Sequence, residues 1–130
     1  STVCLFTGDG SFQMNIQELS TCLEYGLPIK IFILDNSTLG MVRQWQRMFY
    51  KGHISSTNLN YNPDFVALAK AYGHEGIKVT SPKDLDSAIE KALAMKDKLV
   101  IVDIACNTDA KVLPMQQGGG SMSDMFLSED

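Results

Sequence analysis

Two short loops carry the oxygen-bearing side chains that could bind a cation and a phosphate. Residues 8–11 (GDGS) follow an apolar run at 3–7, and residues 35–38 (DNST) follow an apolar run at 29–34. Each loop alone is also an ordinary turn, because Asp, Asn and Gly favour turns for local reasons. Taken together, their carboxylate, amide and carbonyl oxygens suit Mg²⁺, which proteins usually share with substrate phosphates. The pair predicts either two plain turns or a Mg²⁺–diphosphate site to which glycine gives the backbone close access.

The elements around these loops alternate between strand and helix patterns. Short apolar runs predict strands at residues 3–7, 29–34, 76–80 and 99–105. Helical spacing predicts helices at residues 12–25, 41–49, from about 62–64 to Gly73, and 82–96. This order predicts an α/β fold, a doubly wound parallel sheet with helices on both faces. Ligands of such sheets bind beyond the carboxyl ends of the strands, where both loops lie. Ser11 is the expected N-cap of the first helix, whose N-terminus would favour an anion.

Composition and charge exclude several other classes of protein. Residues 1–105 read as one α/β domain, and residues 106–130, which include three consecutive glycines, read as an irregular C-terminal tail or lid. The net charge of -4 argues against nucleic-acid binding. The sequence contains no run of eighteen apolar residues, so no membrane span is predicted. Cys4, Cys22 and Cys106 are expected to be buried free thiols, which predicts a reducing, cytoplasmic location. A strand pattern so close to Ser1 suggests a piece of a longer protein.

The usual nucleotide-binding motifs are not present. The chain has no Walker lysine, and GDGSFQ does not fit the GxGxxG fingerprint. From the residues alone, a non-catalytic α/β module that binds a phosphate ligand or a partner protein remains an alternative to an enzyme.

The spacing of the two loops resembles a known cofactor motif. GDG, then twenty-four residues, then Asp35-Asn36 is similar to the thiamine-diphosphate (ThDP) motif. The run from GDGSFQMN through LGMVRQWQRMFY to PDFVALAKAYG, with the tail VLPMQQGGG, resembles the C-terminal, diphosphate-binding domain of acetolactate synthases. The resemblance covers nearly the whole chain. It implies the ThDP-binding fold and a transferase of branched-chain amino-acid biosynthesis.

The resemblance also implies roles at matching positions. Side-chain oxygens of Asp9 and Asn36 and the backbone carbonyl of Thr38 would bind Mg²⁺. One departure from the family pattern is Asp35, which replaces the first Asn of the usual pair and adds a negative charge near the site. The implied cofactor-binding residues are Gly8, Asp9, Gly10, Ser11, Asn36, Thr38, Leu39, Gly40 and Met41.

Three residues are implied to act in catalysis. Met41 would hold ThDP in its bent form, and Trp45 would line the substrate channel, over which residues 112–120 would close. Pyruvate decarboxylases resemble this pattern but carry a Glu at the position of Val42. An acid there can protonate the reactive intermediate and release an aldehyde, whereas an apolar residue favours attack on a second 2-oxo acid. The resemblance to acetolactate synthases implies pyruvate as the first substrate and either pyruvate or 2-oxobutyrate as the second.

The resemblance further implies that this chain is only half of an active site. The activating glutamate and the FAD-binding domain of the family lie elsewhere, so the chain alone is expected to bind no FAD and to be inactive. A homo-oligomer, contact with the remaining domains of the enzyme and a regulatory small subunit are the implied associations. The runner-up within the same class is another ThDP-dependent carboligase or oxidase of 2-oxo acids.

Overall fold

The secondary-structure elements alternate along the chain in the predicted order. The computed structural model describes residues 1–116 and 118–128. A single 3₁₀ turn at Pro82–Asp84 leads into the fifth helix. The elements are β1 (Cys4–Gly8), α1 (Asp9–Gln13), α2 (Glu18–Glu24), β2 (Lys30–Asp35), α3 (Gly40–Phe49), α4 (Phe65–Ala71), β3 (Glu75–Val79), α5 (Leu85–Ala94), β4 (Val100–Ala105), β5 (Met115–Gln116) and β6 (Met125–Phe126).

Four parallel strands form the central sheet in the order β1-β2-β4-β3. β1 and β2 are direct neighbours, with Gly8 opposite Leu34 in the register. The loops that follow these two strands therefore leave the same edge of the sheet side by side. This arrangement confirms the predicted parallel α/β sheet and places the two oxygen-rich loops together.

Apolar side chains pack on both faces of the sheet, as predicted for a doubly wound fold. One cluster lies under α1, α2 and α4, and the other lies under α5. The first cluster contains Phe12, Leu19, Ile31, Ile33, Phe65, Ala69, Leu99 and Ile101. The second contains Phe32, Val79, Ala88, Ala92, Val100 and Val102.

The prediction of one continuous helix at residues 12–25 is wrong, although most of the apolar residues that suggested it do face the core. Two short helices, α1 and α2, replace it, and residues 14–17 form turns held by bonds to the third residue back, such as Met14 N to Ser11 O. Phe12 and Leu19 nevertheless reach the core. Ser11 lies inside α1 instead of capping it, and Gly8 occupies the N-cap without a side-chain bond.

The later elements begin close to their predicted positions. α4 starts after Asp64, whose Oδ1 accepts bonds from the backbone N–H groups of Val66 and Ala67 at 2.9 and 3.0 Å. Gly73 ends this segment with a φ of 80°, a conformation that favours glycine. No helix in the described part of the chain is long and apolar enough to cross a bilayer.

Two expectations about the surface need correction. The three cysteines are free, but Cys4 and Cys106 are exposed and Cys22 is only partly buried. Cys4 lies on edge strand β1, which has a neighbour on one side only, and this is why its side chain is not enclosed. The tail is mostly irregular, as predicted, yet it contains the short antiparallel ladder of β5 and β6. Its residues 117, 129 and 130 lie outside the described part of the chain.

Candidate functional site

The ends of β1 and β2 and the start of α3 enclose one cleft of about 380 Å³. Each of the nine residues predicted to bind the cofactor lines it, and so does Val42. Leu34, Gln44, Ala110 and Val112 complete the wall. The structure therefore brings together residues from two loops that are far apart in the sequence, because parallel neighbouring strands end at the same edge.

Asp9 is the buried carboxylate of this cleft, with only 2% of its surface exposed. Its Oδ2 accepts a hydrogen bond of 2.6 Å from the Asn62 side chain. Burial raises the pKa of Asp9, the Asn62 bond opposes that rise, and the negative charge of Asp35 adds to it. A carboxylate under these conditions is stabilised by a bound cation, and its second oxygen can serve as a ligand.

The loop after β2 is held in shape by the segment before α4. The Oδ1 of Asn36 accepts a bond of 3.2 Å from the backbone N–H of Thr38. Thr38 is buried, and its hydroxyl donates to the carbonyl of Thr57 at 2.8 Å. The backbone N–H of Leu39 donates to the same carbonyl at 2.8 Å. These hydrogen bonds therefore fix Asn36 and Thr38 relative to the cleft.

Glycine leaves room in the cleft at one position and allows a close approach at another. A Cβ placed on Gly8 would meet no atom within 4 Å, so the space beside this residue is open. A Cβ on Gly40 would lie 2.9 Å from the Nδ2 of Asn36, which shows how tightly α3 begins against that side chain. The backbone can be approached at Gly8, as a diphosphate would require.

The helix that follows the first loop contributes less than the sequence predicts. α1 has five residues, so its dipole is weaker than that of the longer helix expected from the apolar spacing. An anion in the cleft would therefore depend on the open space at Gly8 and on a cation held by the oxygen ligands, more than on the helix terminus.

A second, larger cavity of about 770 Å³ lies beside the cleft along α3. Met41 and Val42 line both spaces, whereas Trp45 lines only the larger cavity. The remaining wall consists of Gln46, Phe49, Tyr50, Lys51 and His53. Among the described residues that line this cavity, none is Asp or Glu. The three residues predicted to be catalytic thus lie together along an apolar space next to the cleft.

The C-terminal tail packs against α3 at this cavity. Gln44 is buried, and its side chain makes two hydrogen bonds to the backbone of Val112, at 2.9 and 3.1 Å. Phe49 contacts Phe126 of β6 with ring centroids 5.9 Å apart. A Cβ on Gly118 would lie 3.4 Å from the Trp45 ring. The predicted lid segment, residues 112–120, is therefore placed beside Trp45, except that Gln117 lies outside the described residues.

Asp35 lies beside the predicted metal ligand Asp9 and shares the Asn62 amide with it, but it also has partners outside the cleft. Its Oδ1 accepts bonds from the backbone N–H and hydroxyl of Ser37, at 3.0 and 3.2 Å, and from Asn62 at 3.1 Å. Its Oδ2 lies 3.7 Å from the Nζ of Lys78, which also binds Asp103 at 2.5 Å. The added negative charge expected from Asp35 is therefore present near Asp9, and Ser37, Asn62 and Lys78 partly balance it.

Sequence reasoning missed Asn62, Gln13 and Lys78 as neighbours of the site. Asn62 was interpreted only as part of the start of a helix, and it lies 53 residues from Asp9 in the chain. No local motif marks such a contact, because it forms only when α4 packs on the sheet. The one sequence signal was the Asp at position 35, whose unusual charge could have prompted a search for a cationic partner.

The donor set fits Mg²⁺ bound together with a diphosphate. Carboxylate, amide and carbonyl oxygens surround the cleft, and these are hard ligands of the kind Mg²⁺ prefers. In the described part of the chain, no group of three or more His, Cys, Asp or Glu side chains could hold a metal ion. A cation here would thus complete its shell with phosphate oxygens and water, which is the usual situation for Mg²⁺.

Two curated relatives are similar over almost the whole chain. The chain is 52% identical over 128 residues to the acetolactate synthase large subunit of Haemophilus influenzae. The aligned region covers 98% of this chain and 22% of that protein. It is 49% identical over 130 residues to the acetolactate synthase isozyme 3 large subunit of Escherichia coli, covering 98% of this chain and 23% of that protein. The chain therefore spans less than a quarter of the length of these relatives.

Solved structures and a family model give the same result for the fold. A ThDP-dependent 4-hydroxybenzoylformate decarboxylase from Rhodococcus jostii matches with a TM-score of 0.75 and 31% identity, over 83% of this chain and 20% of that one. A benzoylformate decarboxylase from Polynucleobacter necessarius matches with a TM-score of 0.77 and 26% identity, over 86% of this chain and 21% of that one. The model of the thiamine pyrophosphate enzyme, C-terminal TPP binding domain, matches residues 1–104. The chain belongs to this family of thiamine-pyrophosphate-binding domains.

Proposed function

We propose that this chain is the diphosphate- and Mg²⁺-binding half-site of a ThDP-dependent acetolactate synthase. The observation that carries the proposal is the single cleft lined by all nine predicted cofactor residues. The identity of about half to acetolactate synthase large subunits supports this reaction over others of the class. The reaction would join pyruvate, after decarboxylation, to a second molecule of pyruvate or to 2-oxobutyrate.

The residues of the cleft would divide the work of binding. Asp9, Asn36 and the carbonyl of Thr38 would hold Mg²⁺, while the open backbone at Gly8 and the neighbouring Gly10 and Ser11 would receive the diphosphate. When bound, ThDP supplies the carbon nucleophile of the reaction, and the protein supplies binding, orientation and electrostatics. The exposed side chains of Met41 and Val42 face both spaces, so they would separate the diphosphate from the reacting end of the cofactor.

The larger cavity supports carboligation over release of an aldehyde. Val42 offers no proton, and no carboxylic acid lines the cavity among the described residues. Substrate would therefore meet an apolar wall formed by Met41, Val42 and Trp45, with Lys51 and His53 as polar groups that could pair with a 2-oxo acid carboxylate. The tail, residues 106–130, would act as a lid that excludes water from this space.

The remaining parts of the enzyme would complete the site. The relatives are named large subunits and are more than four times longer than this chain, which supports further domains that carry the FAD site and the activating glutamate. We further propose a cytoplasmic homo-oligomer with a regulatory small subunit. Exposed apolar side chains such as Met41, Trp45 and Phe6 support contact with other protein surfaces.

Calorimetry of the purified chain with ThDP tests the proposal. We expect ThDP to bind only when Mg²⁺ is present, and we expect Asp9→Ala to abolish this binding. Asp86→Ala is the matched control, because Asp86 is an exposed acid in the first turn of α5, away from the cleft. ThDP binding that needs no Mg²⁺, or that survives Asp9→Ala, would contradict the proposal. Turnover of pyruvate by the chain alone would contradict its assignment as a half-site.

A further inference from the structure

The side chain of Asn62 connects the two acidic residues at the ends of β1 and β2. Its Nδ2 donates to the Oδ2 of Asp9 at 2.6 Å and to the Oδ1 of Asp35 at 3.1 Å. Its own Oδ1 accepts a bond of 2.8 Å from the Nε2 of Gln13. All polar atoms of this amide are therefore engaged, and its orientation is fixed, since a flipped amide would turn its oxygen toward two carboxylates.

Asn62 lies where two separate spaces of the structure meet. Asp9 lines the cleft with the predicted metal ligands, whereas Asp35 and Asn62 line a neighbouring cavity of about 570 Å³. Lys78 is on the far side of Asp35, with its Nζ 3.7 Å from the Oδ2. The Oδ2 of Asp35 is thus within ion-pair distance of a cation in the neighbouring cavity, whereas Asp9 is the acidic residue that lines the cleft.

Asp35 is also held by Ser37 and Lys78. The Asp9 carboxylate, in contrast, depends on its hydrogen bond from Asn62. Both carboxylates accept hydrogen bonds from the same Nδ2 atom of Asn62, so they lie close together and repel each other when both are ionised. The Asn62 amide is the one donor whose hydrogen bonds to both of them are resolved in the described part of the chain. By bonding to both carboxylates, the Asn62 amide reduces their repulsion and also fixes the rotamer of Asp9.

We propose that Asn62 is a positioning residue that holds Asp9 by its Oδ2 and so presents the second oxygen of the carboxylate to Mg²⁺. This inference rests on the proposed function, because it assumes that Asp9 is a metal ligand. Gln13 supports the arrangement by orienting the amide of Asn62. Side chains that orient metal ligands in this way typically change metal affinity by about 10- to 100-fold when they are removed.

Binding of Mn²⁺, used in place of Mg²⁺ and followed by electron paramagnetic resonance in the presence of ThDP, measures this role in the purified chain. We expect Asn62→Ala to weaken Mn²⁺ binding by about 10- to 100-fold. Asn62→Leu, which has nearly the same size but no donor, should have the same effect. The matched control is Asn60→Ala, because Asn60 is exposed and lines the neighbouring cavity but not the cleft.

A readout without metal separates this inference from the proposed function. In the metal-free chain, we expect the side-chain amide proton signals of Asn62 in nuclear magnetic resonance spectra to lie downfield and to move in Asp9→Ala. The amide signals of Asn60 should stay in place. If the Asn62 signals do not shift in Asp9→Ala, the hydrogen bond between Asn62 and Asp9 does not exist in solution and the inference is overturned.

The remaining outcomes identify which statement fails. If Asp9→Ala abolishes Mn²⁺ binding but Asn62→Ala binds as tightly as Asn60→Ala, the proposed function stands and the positioning role is refuted. If Asp9→Ala leaves Mn²⁺ binding intact, or the unaltered chain binds no Mn²⁺, the metal site itself is refuted and the positioning role with it. A purely structural role would lower the melting temperature of Asn62→Ala and leave the Mn²⁺ affinity of the folded chain unchanged.

Discussion

Replacing Gln44 should weaken the attachment of the C-terminal tail to α3 without unfolding the domain. The Gln44 side chain both donates to and accepts from the backbone of Val112, and its Nε2 also lies 3.3 Å from the Sδ of Met115. Gln44→Leu keeps the size of the side chain and removes these bonds. The sheet and both core clusters are formed by other residues, so the loss is confined to the attachment of the tail.

The size of the effect follows from the two bonds that are lost. Each neutral hydrogen bond contributes about 0.5–1.5 kcal/mol, so the tail should lose about 1–3 kcal/mol of attachment free energy. Val112 is largely exposed, and water can replace its lost partners, which places the expected value toward the lower end. In equilibrium terms the tail should open about 5- to 150-fold more often.

Gln44 should also be a stronger anchor than the ion pairs of the tail. Arg43 and Arg47 contact Asp109 at 3.3 and 2.8 Å, but Asp109 is half exposed. Such pairs contribute about 0–1 kcal/mol and are screened by salt. Raising the salt concentration to about 1 M should therefore leave the tail attached, because screening acts on the ion pairs and not on the amide bonds.

Hydrogen exchange at the amide of Val112 measures tail opening directly. We expect faster exchange in Gln44→Leu, together with a change in Trp45 fluorescence, because Gly118 of the tail lies beside that ring. Gln46→Leu is the matched control, since Gln46 is on the same helix but bonds to Ser55 and not to the tail. Unchanged exchange at Val112 in Gln44→Leu, or an equal change in Gln46→Leu, would refute the reasoning.

Three further substitutions test the fold and the cleft. Gly76→Ala would place a Cβ 2.9 Å from the Cα of Val66 and should lower the free energy of unfolding by about 1–3 kcal/mol in denaturant titrations; an unchanged value would contradict the close packing of α4 on β3. Gly8→Ala, in open space, should change that free energy by less than about 0.5 kcal/mol, yet weaken Mg²⁺-dependent ThDP binding roughly tenfold in calorimetry; unaltered binding would place the diphosphate elsewhere. Lys78→Met should lower the free energy of unfolding by about 1–2 kcal/mol near pH 7, less than the loss of an enclosed pair because Lys78 is half exposed, and this loss should shrink as the pH falls.

The buried carboxyl group of Asp103 makes the stability loss in Lys78→Met depend on pH. Burial raises the pKa of Asp103 above its ordinary value, and the bond to Lys78 opposes that rise. A raised pKa means that the folded state binds the proton more tightly than the unfolded state, so stability falls as pH rises through that range. Removing Lys78 enlarges the penalty at neutral pH, and protonation of Asp103 removes it in acid. A cost independent of pH would show that Asp103 is not the group responsible.

The alternation of strands and helices could be predicted because it depends on local periodicity. Buried parallel strands appear as continuous apolar runs, and all four are present where predicted to within a residue or two. The split of the first helix into α1 and α2 could not be predicted, since apolar spacing is the same for α-helical and tighter turns over so short a segment. The environment of Lys30 could not be predicted either. This residue lies within an apolar run, yet it is buried, and its ammonium group donates to the carbonyls of Pro28, Met95 and Lys98.

The cleft could be predicted because its parts follow directly from strand ends. Residues 8–11 and 35–38 each leave a strand, and neighbouring parallel strands bring them together whatever the rest of the chain does. The support behind the cleft has a different origin. Asn62 and Lys78 belong to later segments, and their positions depend on how α4 and β3 pack on the sheet. No spacing rule contains that information.

Asp35 shows how the local and the distant information combine. On the motif alone, a carboxylate in place of the usual amide adds charge beside a metal ligand. In the structure, the same carboxylate accepts bonds from Ser37 and Asn62 and lies within ion-pair distance of Lys78. An amide at position 35 would lose the attraction to Lys78, and a carboxylate without Lys78 and Asn62 would repel Asp9 more strongly, with only Ser37 as a partner. The residue at position 35 is therefore best understood with its two distant partners, which make a departure from the motif compatible with a cation in the cleft.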